Sequence, residues 1–374
     1  MTNTMPAAQP PRFETLDGLR GVGALCIVAG HSVTMWGNLP AHNLIGTMMI
    51  DIFFVLSGYV IAFSYEPKFG NRPSVTAFMR SRLVRLYPLY FLGTAMGFIV
   101  SLAIIAGESD DFLPPIGQFI LALFMAPDVA APESIFPLNF PAWTLFCELV
   151  VNLAYILVWR RLNAKLLAIF VILGGVALIA TVLAFGTMNL GSNFSYSIVA
   201  MARAWFGFFI GVAIYRGSVR KRETALPRTW GAAALIAIAV PVFFVPLQDW
   251  WAPYVEVTLV CFLSPAMVYI AHRIEPPRAI GTIFLWLGGI SYAVYMLHWP
   301  IYIATLRVLR KLDLKEADLA PWGGAALLVA VVVIAAIAER YYDQPVRAWL
   351  NRKLRRPAVT PETIAQKAAI RTTA

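Results

Sequence analysis

The chain has 374 residues, of which 59% are hydrophobic and only 13% charged, with a formal net charge of +10. Soluble domains run at about 45–50% apolar and about 25% charged, so an ordinary soluble domain is excluded. The apolar residues form blocks near the roughly 20 needed to cross a bilayer, without the alternation of barrel strands.

Lipid offers the backbone no hydrogen-bond partners, so these blocks are predicted to be helices. In chain order the predicted spans are 19–37, 44–65, 87–106, 141–159, 165–186, 196–215, 230–247, 251–272, 282–306 and 322–342. The fold class is thus an all-α polytopic membrane protein with about ten transmembrane helices. The apolar piece Ile116–Ala126 is too short to span and reads as re-entrant or interfacial.

Basic residues gather in alternate loops: around Arg80, Arg82 and Arg85, around Arg160 and Arg161, around Arg216 to Arg228, and after Arg347. The intervening loop 107–140 is acidic. The positive-inside rule then places both termini in the cytoplasm, although Arg307, Arg310, Lys311 and Lys315 would fall outside. Basic residues so placed meet anionic lipid headgroups, and the charge implies no nucleic-acid partner. No cleavable signal precedes the first span, which reads as a signal-anchor. Cys26, Cys147 and Cys261 lie in spans without metal-ligand spacing and read as small packing residues, with no disulfide and no metal site expected. Residues 13–350 read as one membrane domain and 351–374 as a short, disordered cytoplasmic tail.

Ionisable side chains inside spans are costly, so each one needs an explanation. They are His31, Asp51, Glu148, Arg203, Glu256 and His298, with Arg20 at a rim. Arg20 and His31 return to within about 20° of one helix face and lie about 16 Å apart along the axis. One stripe of the first span then carries a cation at the cytoplasmic edge and an imidazole near mid-membrane. The plainer reading is a snorkelling Arg and a His bonded to a neighbouring helix. Asp51 lies at a depth comparable to His31, across a short loop. A carboxylate there could fix the imidazole tautomer and raise its basicity, or merely cap a helix.

Trp143 and Glu148 share the fourth span. The indole offers a platform for a sugar or acyl group, and the carboxylate can accept a proton or grip a hydroxyl. Alternatively Trp143 is an interfacial anchor and Glu148 pairs with Arg203. Arg82 and Arg85 share a cytoplasmic helix face, and paired guanidiniums suit phosphate, whether of a ligand or of lipid. Ser291, Tyr295 and His298 share one face of the ninth span, where Pro300 should free a carbonyl about four residues earlier. His42 and His272 are weaker candidates. No phosphate-binding Gly-rich loop, zinc-ligand set or Gly-x-Ser-x-Gly elbow is present.

Taken jointly, these segments resemble the acyltransferase-3 family of membrane acyltransferases over roughly residues 13–350. Leu16-Asp-Gly-Leu-Arg20-Gly with His31 is similar to the family's Arg-x10-His motif, and Asp51-Ile-Phe-Phe-Val-Leu-Ser-Gly58 to its second-span motif. Arg82-Leu-Val-Arg85-Leu-Tyr-Pro88 resembles its basic motif before span three, and Trp143-Thr-Leu-Phe-Cys-Glu148 its Trp-Ser-Leu-x-x-Glu motif. Ser291-Tyr-Ala-Val-Tyr295-Met-Leu-His298-Trp-Pro300 matches the late Ser-Tyr-x-x-Tyr-x-x-His-x-Pro motif, and Asp343-Gln-Pro345 stands where Glu-x-Pro is usual.

The resemblance implies transfer of an acyl group, most often acetyl, from cytoplasmic acyl-CoA to a hydroxyl of a glycan or lipid-linked sugar. It places the chain in a bacterial inner membrane, in contact with lipid, and needs no cofactor beyond the acyl-CoA co-substrate. Arg20, Arg82 and Arg85 would hold the CoA phosphates. His31 would remove the acceptor proton or itself carry the acyl group, supported by Asp51 or Glu148. Trp143, Arg203, Tyr295 and His298 would bind the acceptor. The alternative is a transporter or flippase whose polar residues line a path for a polar solute.

Overall fold

The computed structural model describes residues 13–37, 45–70, 73–106, 113–188, 190–219, 226–242 and 250–354. His42 and residues 355–374 of the expected tail lie outside these. Among the described residues the architecture is built from helices alone. In chain order they are α1 (Glu14–His31), α2 (Ile45–Tyr65), α3 (Val75–Ile105), α4 (Leu113–Leu123), α5 (Ala142–Val158), α6 (Ala164–Phe185) and α7 (Ser197–Val219). The second half of the chain adds α8 (Gly231–Val242), α9 (Ala252–Thr258), α10 (Ser264–Ala271), α11 (Arg278–Lys311), α12 (Trp322–Ala338) and α13 (Gln344–Leu354). Helix α13 extends to Leu354, past the expected end of the membrane domain and into the segment read as tail.

Eight helical segments among the described residues are long and apolar enough to cross a membrane. The other two expected spans fall on α1 and α8. Helix α1 has 18 residues, but Glu14, Asp17 and Arg20 crowd its first turns, and α8 has 12. Helix α4, with 11 residues, packs along α3 through Phe119 stacked on Phe98 at 4.4 Å between ring centroids. The chain is an all-α, multi-pass membrane protein. Its lipid-facing exterior carries exposed Ile172, Leu183, Ile198 and Val329, as expected where the solvent is hydrocarbon.

Two helix pairs make the core, α1 along α11 and α2 along α7. The second pair needs glycine. A Cβ on Gly58 would run into the Phe208 carbonyl oxygen, and one on Gly211 into that of Val55. Small residues of this kind let helix backbones touch, which is how membrane helices gain packing energy.

Helix α11 continues through Pro300. Proline removes one hydrogen bond and frees the carbonyl four residues back, which is that of Met296. Asn139, in the loop ahead of α5, supplies the missing donor from Nδ2 at 3.1 Å. That one bond fixes the α11 segment bearing Tyr295 and His298 against the segment leading into Trp143.

Contacts at one end of the bundle tie distant segments together. Glu66 receives Arg216 at 2.7 Å and Tyr155 at 2.7 Å, and Glu14 receives Arg228 at 2.7 Å. Glu275, in the loop between α10 and α11, accepts the Thr15 amide at 3.1 Å. It thereby caps a buried amide at the start of α1 that has no partner within the helix, from another part of the chain. At the opposite end, Glu316 receives Thr34 at 2.5 Å and Tyr302 at 3.2 Å.

Candidate active site

The helices enclose a cavity of about 360 Å³ between α1, α2, α3, α5, α11 and the α12–α13 junction. Its rim carries four arginines, Arg20, Arg82, Arg85 and Arg347. Its inner part is lined by Ile50, Phe53, Thr144 and Tyr295. The wall therefore runs from a charged end, where Asp17, Glu148, Glu339 and Asp343 accompany the arginines, to an apolar and hydroxylic one.

Each rim arginine has its own setting. Arg20 donates from Nε to Ser291 at 2.9 Å and from Nη2 to the Gly288 carbonyl at 2.6 Å and Asp17 at 2.7 Å. Its position on α1 is thus set by α11. Arg82 is almost buried and pairs with Glu148 at 2.9 Å. Ser57 donates to the same Glu148 oxygen at 2.8 Å, so α2, α3 and α5 meet at one carboxylate. Arg85 is exposed on the cavity wall, with no carboxylate partner among the described residues. Arg347 reaches Asp343 at 2.9 Å and Glu339 at 3.1 Å.

The histidines lie beyond the inner part of the cavity. His31 ends α1, and its ring stacks on that of His298 with centroids 5.3 Å apart and planes 28° apart. Phe140 and Trp299 close around His31 with ring centroids at 5.9 and 5.4 Å. His298 is 1% exposed, and its Nδ1 lies 2.8 Å from the Tyr295 carbonyl. A carbonyl can only accept, so Nδ1 carries the proton, and in the neutral ring Nε2 carries the lone pair. That Nε2 is buried without a hydrogen-bond partner. Tyr295 joins the two zones. It lines the cavity, bonds Thr144 through its hydroxyl at 2.8 Å, and has its ring 6.0 Å from that of His298.

The remaining expected residues form a third group. Asp51 does not pair with His31. It takes a two-point ion pair from Arg203, Nε to Oδ1 at 3.1 Å and Nη2 to Oδ2 at 2.9 Å, and each side chain is 1% exposed. The reason is geometric: α2 packs along α7, so Asp51 meets the guanidinium there. Arg203 pairs with Asp51 rather than Glu148, and neither Arg203 nor Trp143 lines the cavity. Trp143 is buried with its ring 6.0 Å from the Arg203 guanidinium. Arg203 also bonds the Met188 carbonyl at 3.3 Å, while Glu256 accepts the Met188 amide at 2.9 Å. Together they hold the turn that comes after α6.

Three contributors to the site lie outside the residues expected from sequence. Ser57 and Asn139 are ordinary residues until a neighbour gives them a partner. Arg347 reads in sequence as positive-inside charge, although its spacing of four from Asp343 is a helical ion-pair signal.

Membrane-embedded acyltransferases are the class to which this bundle and its polar interior belong. The chain belongs to the acyltransferase-3 family: the family's profile, described as an acyltransferase domain, matches residues 13–340. It is 36% identical over 164 residues to Protein 2 in picA locus of Rhizobium radiobacter, covering 40% of this chain and 84% of that protein. It is 30% identical over 175 residues to Acyltransferase MdmB of Streptomyces mycarofaciens, covering 42% of each. It is 24% identical over 359 residues to Peptidoglycan O-acetyltransferase OatA of Listeria monocytogenes, covering 89% of this chain and 55% of that protein. The chain thus spans about half the length of the last two. No solved structure matches it.

Proposed function

We propose that this protein transfers an acyl group, acetyl being the best candidate, from cytoplasmic acyl-CoA to a hydroxyl of a glycan or lipid-linked sugar. The observation that carries the reading is the polarity of the cavity: four arginines at one end and a pair of histidines just past the other. Acyl-CoA has the same polarity, with phosphates at one end and a thioester at the other. Its pantetheine arm extends about 15–20 Å, against about 16 Å from Arg20 to His31 along α1. A relative that is named a peptidoglycan O-acetyltransferase supports a glycan acceptor.

In this reading Arg20 and Arg85 bind phosphate oxygens, and Arg82 is positioned by Glu148 and Ser57 to do the same. The apolar inner wall of Ile50 and Phe53 takes the pantetheine, bringing the thioester to Tyr295. The acceptor enters from the histidine side. Its hydroxyl oxygen attacks the thioester carbon, the carbon–sulfur bond breaks, and the histidine pair takes the hydroxyl proton and returns it to the CoA thiolate. Products are the ester and free CoA. Two imidazolium charges 5.3 Å apart would repel each other, so only one of the two neutral rings takes up an extra proton at a time. A second route has His31 carry the acyl group before the acceptor receives it, and it balances equally well. Asp51 and Arg203 serve as a brace for α2 and α7. Both termini face the cytoplasm, and the membrane is a bacterial inner membrane.

The test is transfer of radiolabel from acetyl-CoA into membranes containing the protein, with mild alkali used to release acetate from esters. Alkali-labile label that appears with the wild type and is absent with His31→Ala supports the reading. No label above that of membranes lacking the protein overturns it. Mass spectrometry of surface glycans with and without the gene then identifies the acceptor by the gain of one acyl mass.

A further inference from the structure

Arg347 stands past the segment matched to the family, which ends at residue 340. It nevertheless lines the same cavity as Arg20, Arg82 and Arg85. It is there because of how α12 ends. The helix passes into a π-helical turn, Glu339–Asp343, before continuing as α13. A π turn inserts an extra residue and rotates the helix beyond it, and such turns recur at functional sites. Here it brings Glu339 and Asp343 onto one guanidinium, at 3.1 and 2.9 Å.

The arrangement differs from a closed structural ion pair. Asp343 is 1% exposed, and its second oxygen, Oδ1, is buried without a hydrogen-bond partner. The Arg347 side chain is 30% exposed, and the residue lines the cavity. A guanidinium has five N–H donors, and the two ion pairs are both made by Nη2. The carboxylates orient the group from behind and leave its other donors to a ligand. Arg85, the rim cation with no carboxylate partner among the described residues, lines the same wall.

We propose that Arg347 is a donor-binding residue: held by Glu339 and Asp343, it grips the nucleotide phosphates of acyl-CoA and makes the α12–α13 junction part of the donor site. This rests on acyl-CoA being the donor. Phosphate matches the geometry because a planar fork with free donors binds two of its oxygens at once, in a way a carboxylate-saturated arginine cannot.

The experiment is calorimetric binding of two ligands to the purified, full-length protein in detergent. One ligand is CoA; the other is pantetheine, which keeps the arm and lacks every phosphate. Removing one charge-assisted bond of this kind is expected to weaken CoA binding about tenfold or more. Arg347→Gln should show that loss with CoA and none with pantetheine, and Arg347→Lys should recover part of it. Glutamine can still bond to Glu339, so a folding defect is separated from a lost charge by comparing the two variants. Equal weakening toward both ligands, or no weakening toward CoA, overturns the assignment. If the wild type binds pantetheine no less tightly than CoA, the phosphate end is not recognised at all, and the acyl-CoA reading falls together with the role of Arg347.

Discussion

Asp51 and Arg203 meet through two parallel hydrogen bonds, at 3.1 and 2.9 Å, in the interior of the bundle where each is 1% exposed. The pair joins α2 to α7 and leaves His31 without this carboxylate. Removing one partner of a buried ion pair strands the other charge and typically costs about 3–5 kcal/mol. Asp51→Ala should therefore lower the thermal stability of the detergent-solubilised protein strongly. Asp51→Leu combined with Arg203→Met should restore most of it, because no lone charge remains. If the pair is a brace, acyl transfer returns with stability. A stable double variant that stays inactive would show that Asp51 or Arg203 acts in the chemistry instead.

His31 and His298 should behave as one unit. Each single alanine variant is expected to lose about 10²-fold or more in turnover, the usual contribution of a positioned base. The double variant should be no worse than the poorer single, since residues acting together are not additive. Losses that multiply in the double variant would show that the two imidazoles contribute independently and do not act as one unit. Turnover is measured as alkali-labile acetate formed per unit of correctly inserted protein.

Glu148 holds Arg82 at 2.9 Å and Ser57 at 2.8 Å. Glu148→Gln keeps the shape and an accepting oxygen but removes the charge that fixes the guanidinium. The expected effect is a several-fold change in the apparent KM for acetyl-CoA with kcat nearly unchanged, the signature of altered uniform binding. A fall in kcat comparable to that of His31→Ala would instead assign the carboxylate to the proton transfer. Cys147→Ala serves as the neighbouring control. Cys147 is 2% exposed within the protein core, so its loss should appear as modest destabilisation and leave KM in place.

Glu275 gives a pH dependence outside the spans. Burial pushes its carboxyl up to about 7, against the opposing hydrogen bond from the Thr15 amide; Glu14 raises it further and Arg228 opposes. An unfolded Glu titrates near 4.3. Below that pH both states hold the proton and the contribution to stability is complete. Above it the unfolded chain releases its proton first, so the contribution fades as pH rises to about 7. Tm should accordingly fall between pH 5 and 7.5 more steeply in the wild type than in Glu275→Gln, which stays neutral throughout. Parallel Tm profiles for the two proteins would remove Glu275 as the source.

Much of this molecule is determined by local chemistry that a sequence displays. Apolar blocks of bilayer length must be helices, and residues 44–65, 141–159 and 165–186 match α2, α5 and α6 closely because nothing but lipid thickness and hydrogen bonding sets them. The stripe from Arg20 to His31 is equally local, since helical period alone puts both on one face. Pro300 announces a freed carbonyl, though not who answers it. Partnership is where the tertiary structure decides. From sequence Asp51 faces His31 or a helix cap and Glu148 faces Arg203, whereas the structure pairs Asp51 with Arg203 and Glu148 with Arg82. Those choices depend on which helices pack together, and the packing of α2 on α7 is set by carbonyls fitting against Gly58 and Gly211. Arg347 shows the same limit: its charge is plain in the sequence, but a π turn aims it into the cavity, and no pattern of side-chain types encodes that extra residue of rotation.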